Sequence, residues 1–235
     1  MIDTIYFDNW NTLVKAPRLM EKGSSTRIFQ EYLGGQGLMV PDNFIDIYVL
    51  ISRAQNSRAE NDGHREPDYR QRLEDVFREL GLPDPLEHSK GAWNYYLKKW
   101  PEQTEYFDGV PKMLAELKEN YKLGIITNYM DGPTCRDVFD KLGYDDIFDS
   151  LVVSGELGDV KPAQILFETA LKETGSMPEN SVMVGDTFAA DVVGGNLAGM
   201  KTGLVDIYDN QHENYGEATA VISDIIEFPG ALRRL

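Results

Sequence analysis

The chain has 235 residues, 42% of them hydrophobic, enough for one large α/β domain or a domain with an insertion, and it carries a formal net charge of −16. That charge, with no lysine/arginine cluster, excludes a nucleic-acid binder working through a basic face. One cysteine, Cys135, excludes an internal disulfide and suits a reducing cytoplasm, and three widely spaced histidines exclude a cysteine–histidine metal site. The apolar runs are strand-sized and too short to cross a membrane, and the start of the chain has neither the basic region nor the apolar stretch of a secretory leader. The expectation is a cytoplasmic protein with no membrane partner, monomeric or a homodimer.

In chain order, Thr4–Phe7 is a short β-branched and aromatic run, read as a buried strand that ends at Asp8 and opens into a loop over 8–12. Residues 26–33, 43–61, 68–80 and 86–100 then carry apolar side chains at helical spacing. They are separated by Gly34-Gly35, Gly63, Pro67 and Gly81-Leu82-Pro83. This is a helical insertion.

From Tyr106 the pattern changes. Residues 110–120 predict a helix with Pro111 in its first turn, 123–127 a strand, and 135–142 a helix stopped by Gly143. A strand over 151–154 and a helix over 163–174, stopped by Gly175, come next. A strand over Ser181–Gly185 leads into a helix running to Gly199, and short strands follow at 202–205 and Ala220–Ile222. Strands alternating with helices imply an α/β class fold, a parallel sheet with helices on both faces, with ligands at the carboxyl ends of the strands.

Four of those ends finish in polar residues: Asp8-Asn9-Trp10-Asn11-Thr12, Thr127-Asn128, Lys161-Pro162, and Gly185-Asp186-Thr187 with Asp191 five residues after Asp186. A parallel sheet brings them to one rim. A carboxylate can attack phosphorus and form an acyl phosphate, and the rest of phosphoryl transfer is positioning and charge stabilisation. Asp8 and Asp186 suit a shared hard cation such as Mg²⁺, which favours oxygen ligands. Lys161 can neutralise phosphate oxygens and carboxylate together, while the Thr127 hydroxyl and backbone N–H groups over 9–11 can hold the remaining oxygens.

The order Asp8…Thr12, Thr127-Asn128, Lys161-Pro162, Gly185-Asp186…Asp191 resembles the four motifs of the haloacid-dehalogenase-like hydrolases, over residues 1–15 and about 106–235. The resemblance implies a Rossmann-like core at 1–15 and 104–235 and a helical cap of the first type at 16–103. It implies Asp8 as nucleophile, with Thr127 and Lys161 binding and orienting the phosphate. Asp186 and the Trp10 backbone carbonyl become metal ligands, and Asp191 a ligand through water or a partner for Lys161. Asn9, Trp10, Asn11 and Asn128 complete the substrate-binding loops. The expected ligands are Mg²⁺ and a small phosphorylated metabolite.

One position departs from the family's pattern. Most of its phosphatases have aspartate two residues after the nucleophile, to protonate the leaving alcohol and later activate water; here the residue is Trp10. Three readings follow: a phosphatase that is slow or confined to good leaving groups, a dehalogenase or carbon–phosphorus hydrolase that needs no such acid, or a degenerate module that only binds phosphate and Mg²⁺. Lost acid–base help costs about 10²–10⁴-fold. The family's dehalogenases need no metal, usually lack the paired acids found here at 186 and 191, and carry a halide-binding arginine absent from 34–41, although Arg27 lies nearby. Phosphoryl chemistry is therefore favoured. Carbon–phosphorus cleavage wants a cap lysine, for which Lys15, Lys22 and Lys90 are unmarked candidates.

Plainer readings stand beside these. Asp8 can cap a loop, Asp186 can cap the following helix, and Trp10 can pack against the rim. Asn11 can adopt a left-handed backbone where the family has glycine. Trp93, Tyr95, Tyr96 and Trp100 read as aromatic core, 61–66 as a helix connection, His64, His88 and His212 as surface residues, and Cys135 as a small core residue.

Overall fold

The computed structural model describes residues 1–15, 24–143, 146–209 and 211–234. Two compact units emerge, one formed by Met1–Lys15 with Glu105–Leu235 and the other by Ala16–Thr104.

The first unit begins with β1 (Thr4–Phe7), every residue of which is buried, and a two-residue strand β2 (Val14–Lys15). The second unit is helical among the described residues: α1 (Ser25–Gly35), α2 (Phe44–Asn61), α3 (Tyr69–Glu79) and α4 (Pro85–Lys99). All four helical runs predicted for the insertion are present to within two residues at each end. Their boundaries follow from cap chemistry. The Ser24 hydroxyl accepts the Arg27 N–H, and the Asp68 carboxylate accepts those of Arg70 and Gln71. Phe29, Leu33, Phe44, Phe77 and Tyr96 fill the interior, each worth about 1.5–3 kcal/mol of burial. Trp93, Tyr96 and Trp100 stack along α4 at centroid spacings of 5.3 and 5.5 Å, so the aromatic cluster is core packing, with Tyr95 reaching outward to Glu31. His64 and His88 are half-buried. Lys22 lies outside the described residues, as does the side chain of His212.

The first unit resumes at β3 (Glu105–Tyr106), which pairs antiparallel with β2, Val14 opposite Tyr106. This ribbon was not expected, since two-residue strands leave no periodic signal. There follow α5 (Val110–Lys118), β4 (Lys122–Thr127), α6 (Gly132–Leu142), β5 (Ser150–Val153), a short α7 (Ser154–Leu157) and α8 (Gln164–Thr174). The chain then forms β6 (Ser181–Gly185), a π-helical turn at Phe188–Val192, α9 (Val193–Leu197), β7 (Lys201–Val205), β8 (Ala220–Ile222) and α10 (Phe228–Leu232). The single helix expected before Gly199 is thus π-helical in its first turn. Ser154, expected at a strand end, instead begins α7.

The sheet order is β5-β4-β1-β6-β7-β8, all neighbours parallel. Both faces are covered. Tyr6, Ile126, Val152 and Met183 pack on Leu166, Phe167 and Ala170 of α8. Phe7, which alternates to the other face, meets Phe228 of α10 edge-on at 5.8 Å. Phe7 lies level with Ile125 of β4 on one side and Val184 of β6 on the other. The sheet reverses direction of growth at β1, so the carboxyl ends of β1, β4 and β6 flank a switch point where α/β sheets bind ligands.

Candidate active site

That register brings Asp8, just past β1, beside Asp186, just past β6. The Asp8 N–H donates to the Val184 carbonyl at 2.8 Å, fixing the chain as it leaves the sheet. The following loop folds on itself, with the N–H groups of Leu13 and Val14 both donating to the Asn9 carbonyl at 2.9 Å. Asn11 sits at φ 57, the left-handed conformation anticipated for it. Its N–H donates to the Val14 carbonyl at 2.7 Å and so is already engaged within the loop.

Lys161 is the hub. Its Nζ donates to Asp8 Oδ1 at 2.8 Å and to Asp191 Oδ1 at 2.6 Å, with 2% of the side chain exposed. Its backbone N–H donates to Asn128 Oδ1 at 2.8 Å, so the residue following Thr127 anchors the lysine main chain. Carboxylate oxygens of Asp8, Asp186 and Asp191 lie within 4.8 Å of one another. Asp191 is buried, and its Oδ2 accepts the Thr187 N–H at 3.0 Å. Gly185 makes room for it, because a Cβ there would collide with the Asp191 carboxylate. The helix after β6 starts from Thr187, not Asp186, which leaves the Asp186 carboxylate without the capping role considered for it.

The electrostatics follow from crowding. Burial, then repulsion from Asp8 and Asp191, pushes Asp186 up to about 8. Burial pushes Asp191 up to about 6 against the pull of Lys161. Burial alone would lower Lys161, but Asp191 and Asp8 outweigh it and hold the ammonium above its ordinary range. Three carboxylates thus face one ammonium, an all-oxygen donor set with excess negative charge that fits a hard divalent cation.

A cavity of about 200 Å³ opens onto this cluster, lined by Asp8, Trp10, Asn11, Asn128, Lys161, Asp186, Thr187, Ala190 and Asp191. Trp10 packs against Tyr129 at 5.2 Å between ring centroids. Two expected site residues do not line it. Thr127 is fully buried, and its hydroxyl has no hydrogen-bond partner among the described residues. Asn9 is also fully buried, with both carboxamide atoms unpartnered among the described residues. Thr187 and Gly185 belong to the strand end named in the sequence, but the contact that requires glycine at 185 was not expected, nor was Ala190 on the wall. A glycine needed for one close contact carries no periodic signal.

Comparison with known proteins agrees with this architecture. The profile of the haloacid dehalogenase-like hydrolase family matches residues 52–205, which include Thr127, Lys161, Asp186 and Asp191. A glyceraldehyde 3-phosphate phosphatase from Methanothermobacter thermautotrophicus is 38% identical over 154 residues, 62% of this chain and 66% of that protein, so just under two thirds of the relative's length is spanned. The enzyme of the same name from Pyrococcus abyssi is 32% identical over 204 residues, 86% of this chain and 80% of that protein. Among solved structures, the magnesium-bound HAD-hydrolase YfnB from Bacillus subtilis superposes with a TM-score of 0.77 over 99% of both chains at 19% identity, a likeness of fold. With the family profile covering well over half of its length, the chain belongs to the haloacid dehalogenase-like hydrolases.

Proposed function

We propose that this hydrolase is a metal-dependent phosphatase acting on a small phosphorylated metabolite through an aspartyl-phosphate on Asp8. The observation that carries the reading is Lys161 Nζ held between Asp8 and Asp191 with the Asp186 carboxylate alongside, on the wall of one cavity. The phosphatase names of the two archaeal relatives support the substrate class.

In this reading Asp8, Asp186 and the Trp10 carbonyl would hold Mg²⁺, with Asp191 acting through water and through Lys161. When bound, the cation offsets negative charge on the transferring phosphoryl group. One Asp8 oxygen attacks phosphorus in line with the leaving oxygen; the phosphorus–oxygen bond to the metabolite breaks as the acyl phosphate forms. Lys161 stays protonated between its two carboxylates and screens the approach of the anion to Asp8. Asn11 and Asn128 stand on the wall of the cavity and would contact the equatorial oxygens, while Thr127, fully buried and off the wall, would need the site to rearrange before its hydroxyl could join them. The leaving oxygen takes its proton from water, since the indole N–H of Trp10 is far too weak an acid to supply one. Water then hydrolyses the acyl phosphate, returning Asp8 and releasing inorganic phosphate. Residues 1–15 and 104–235 serve as the catalytic core, and 16–103 as a cap that selects substrates by size.

The test is turnover of an activated aryl phosphate with Mg²⁺, with EDTA and in Asp8→Asn, alongside 2-chloropropionate with halide detection. Phosphate release that requires Mg²⁺ and disappears in Asp8→Asn is the expected result. Halide release that survives EDTA would make the protein a dehalogenase instead.

A further inference from the structure

The turn that carries Asp186 is tied down residue by residue, and one of its ties comes from a distant loop. Beyond β7, Asp206 is buried, and its Oδ2 accepts both the Gln211 N–H and the Tyr215 hydroxyl at 2.9 Å. Gln211 and Tyr215 thereby meet on one carboxylate. It delivers the Gln211 side chain onto the neighbouring strand end, where Nε2 donates to the Asp186 carbonyl at 2.8 Å and Oε1 accepts the Phe188 N–H at 3.2 Å. Between those two contacts the Thr187 N–H is taken by Asp191. Consecutive backbone groups of 186, 187 and 188 are thus each held by a side chain, Asp191 on the cavity wall taking the middle one and Gln211 the two flanking it. Both ends of the carboxamide are engaged, so its orientation is defined by complementary donors and acceptors.

We propose that Gln211 is a positioning residue for the Asp186 carboxylate. Its amide locks the 186–188 turn, with Asp206 and Tyr215 as its support, so that Asp186 presents its oxygens to a divalent cation without having to be ordered on binding. The inference rests on the reading of Asp186 as a cation ligand. Groups that orient a ligand from behind commonly contribute about 10–100-fold to metal affinity.

The decisive variant is Gln211→Glu, which keeps an acceptor for Phe188 but turns a carboxylate oxygen toward the Asp186 carbonyl. Mg²⁺ binding is followed by calorimetry and by the melting temperature across a Mg²⁺ titration, with the aryl phosphate KM measured at saturating Mg²⁺. The expected result is a Mg²⁺ dissociation constant raised by about tenfold or more. KM should move little, and the melting temperature in EDTA should stay close to that of the unmodified protein. Tyr215→Phe should shift Mg²⁺ affinity in the same direction by less. If Gln211→Glu does not fold, Gln211→Met, similar in shape and without hydrogen bonds, takes its place. Unchanged Mg²⁺ affinity in a folded variant overturns the inference, as does a loss of affinity matched by an equal loss of stability in EDTA. If the unmodified protein binds no Mg²⁺, the metal reading of the site fails, and this inference falls with it.

Discussion

Replacing Lys161 by methionine probes the balance of charge in the site. The substitution matches the lysine side chain as far as Cε, with sulfur in place of Cδ, and removes the ammonium that bridges Asp8 and Asp191. Three carboxylates, those of Asp8 and Asp191 buried and that of Asp186 half-buried, would then share one cluster with no cation among them. Removing one partner of a buried ion pair costs about 3–5 kcal/mol, because the other charge stays desolvated. In a chain of this length each kcal/mol moves the melting temperature by about 2–4 °C, so the variant should melt about 6–20 °C lower in EDTA at pH 8. The loss should shrink toward pH 5, where Asp186 and Asp191, already raised to about 8 and about 6, take up protons that stand in for the missing charge. Mg²⁺ should restore part of it at pH 8. Scanning calorimetry of both proteins at pH 5 and 8, with and without Mg²⁺, measures all of this. A Lys161→Met variant as stable as the unmodified protein at pH 8 in EDTA, with no dependence on pH, would refute the argument that the lysine offsets buried negative charge.

The same site makes the metal-free protein sensitive to pH. Folded Asp186 titrates near 8 against an ordinary 3.8, so between those values the folded chain binds a proton that the unfolded chain has lost. Stability in EDTA should therefore fall as pH rises through that window, and Asp186→Asn should flatten the slope in a melting series. If Trp10 leaves the departing oxygen without an acid, rates on aryl phosphates should fall steeply as the phenol becomes less acidic, and Trp10→Asp should flatten that plot. The gain on poor leaving groups should reach about 10²–10⁴-fold, and parallel plots for the two proteins would contradict the assignment. Cys135 is fully buried and its thiol is pushed up to about 12, chiefly by burial. It should react with a thiol reagent only in denaturant, and rapid labelling of native protein would show that α6 opens.

Much of this was legible in the amino-acid order. The β-branched run ending at Asp8, the Gly185-Asp186 pair after an apolar run and the glycine stops at 143 and 175 each carry a local signal. A parallel sheet converts those scattered strand ends into one rim. Contacts that depend on three-dimensional closure were not legible. The ribbon of β2 and β3 is too short to show a period. The need for glycine at 185 arises only because Asp191 folds back over it. Gln211 lies in a polar stretch with no pattern, and its role depends on β7 lying beside β6. The Asn11 N–H looked available for a ligand until the loop closed on Val14.

In the proposed reaction the phosphoryl group passes through Asp8. Protein mixed with an activated aryl phosphate and Mg²⁺, quenched in acid during turnover and reduced with borohydride, should yield homoserine at position 8 on peptide mass spectrometry, and none when EDTA is present. Steady phosphate release with Asp8 unmodified in every quenched sample would contradict the account.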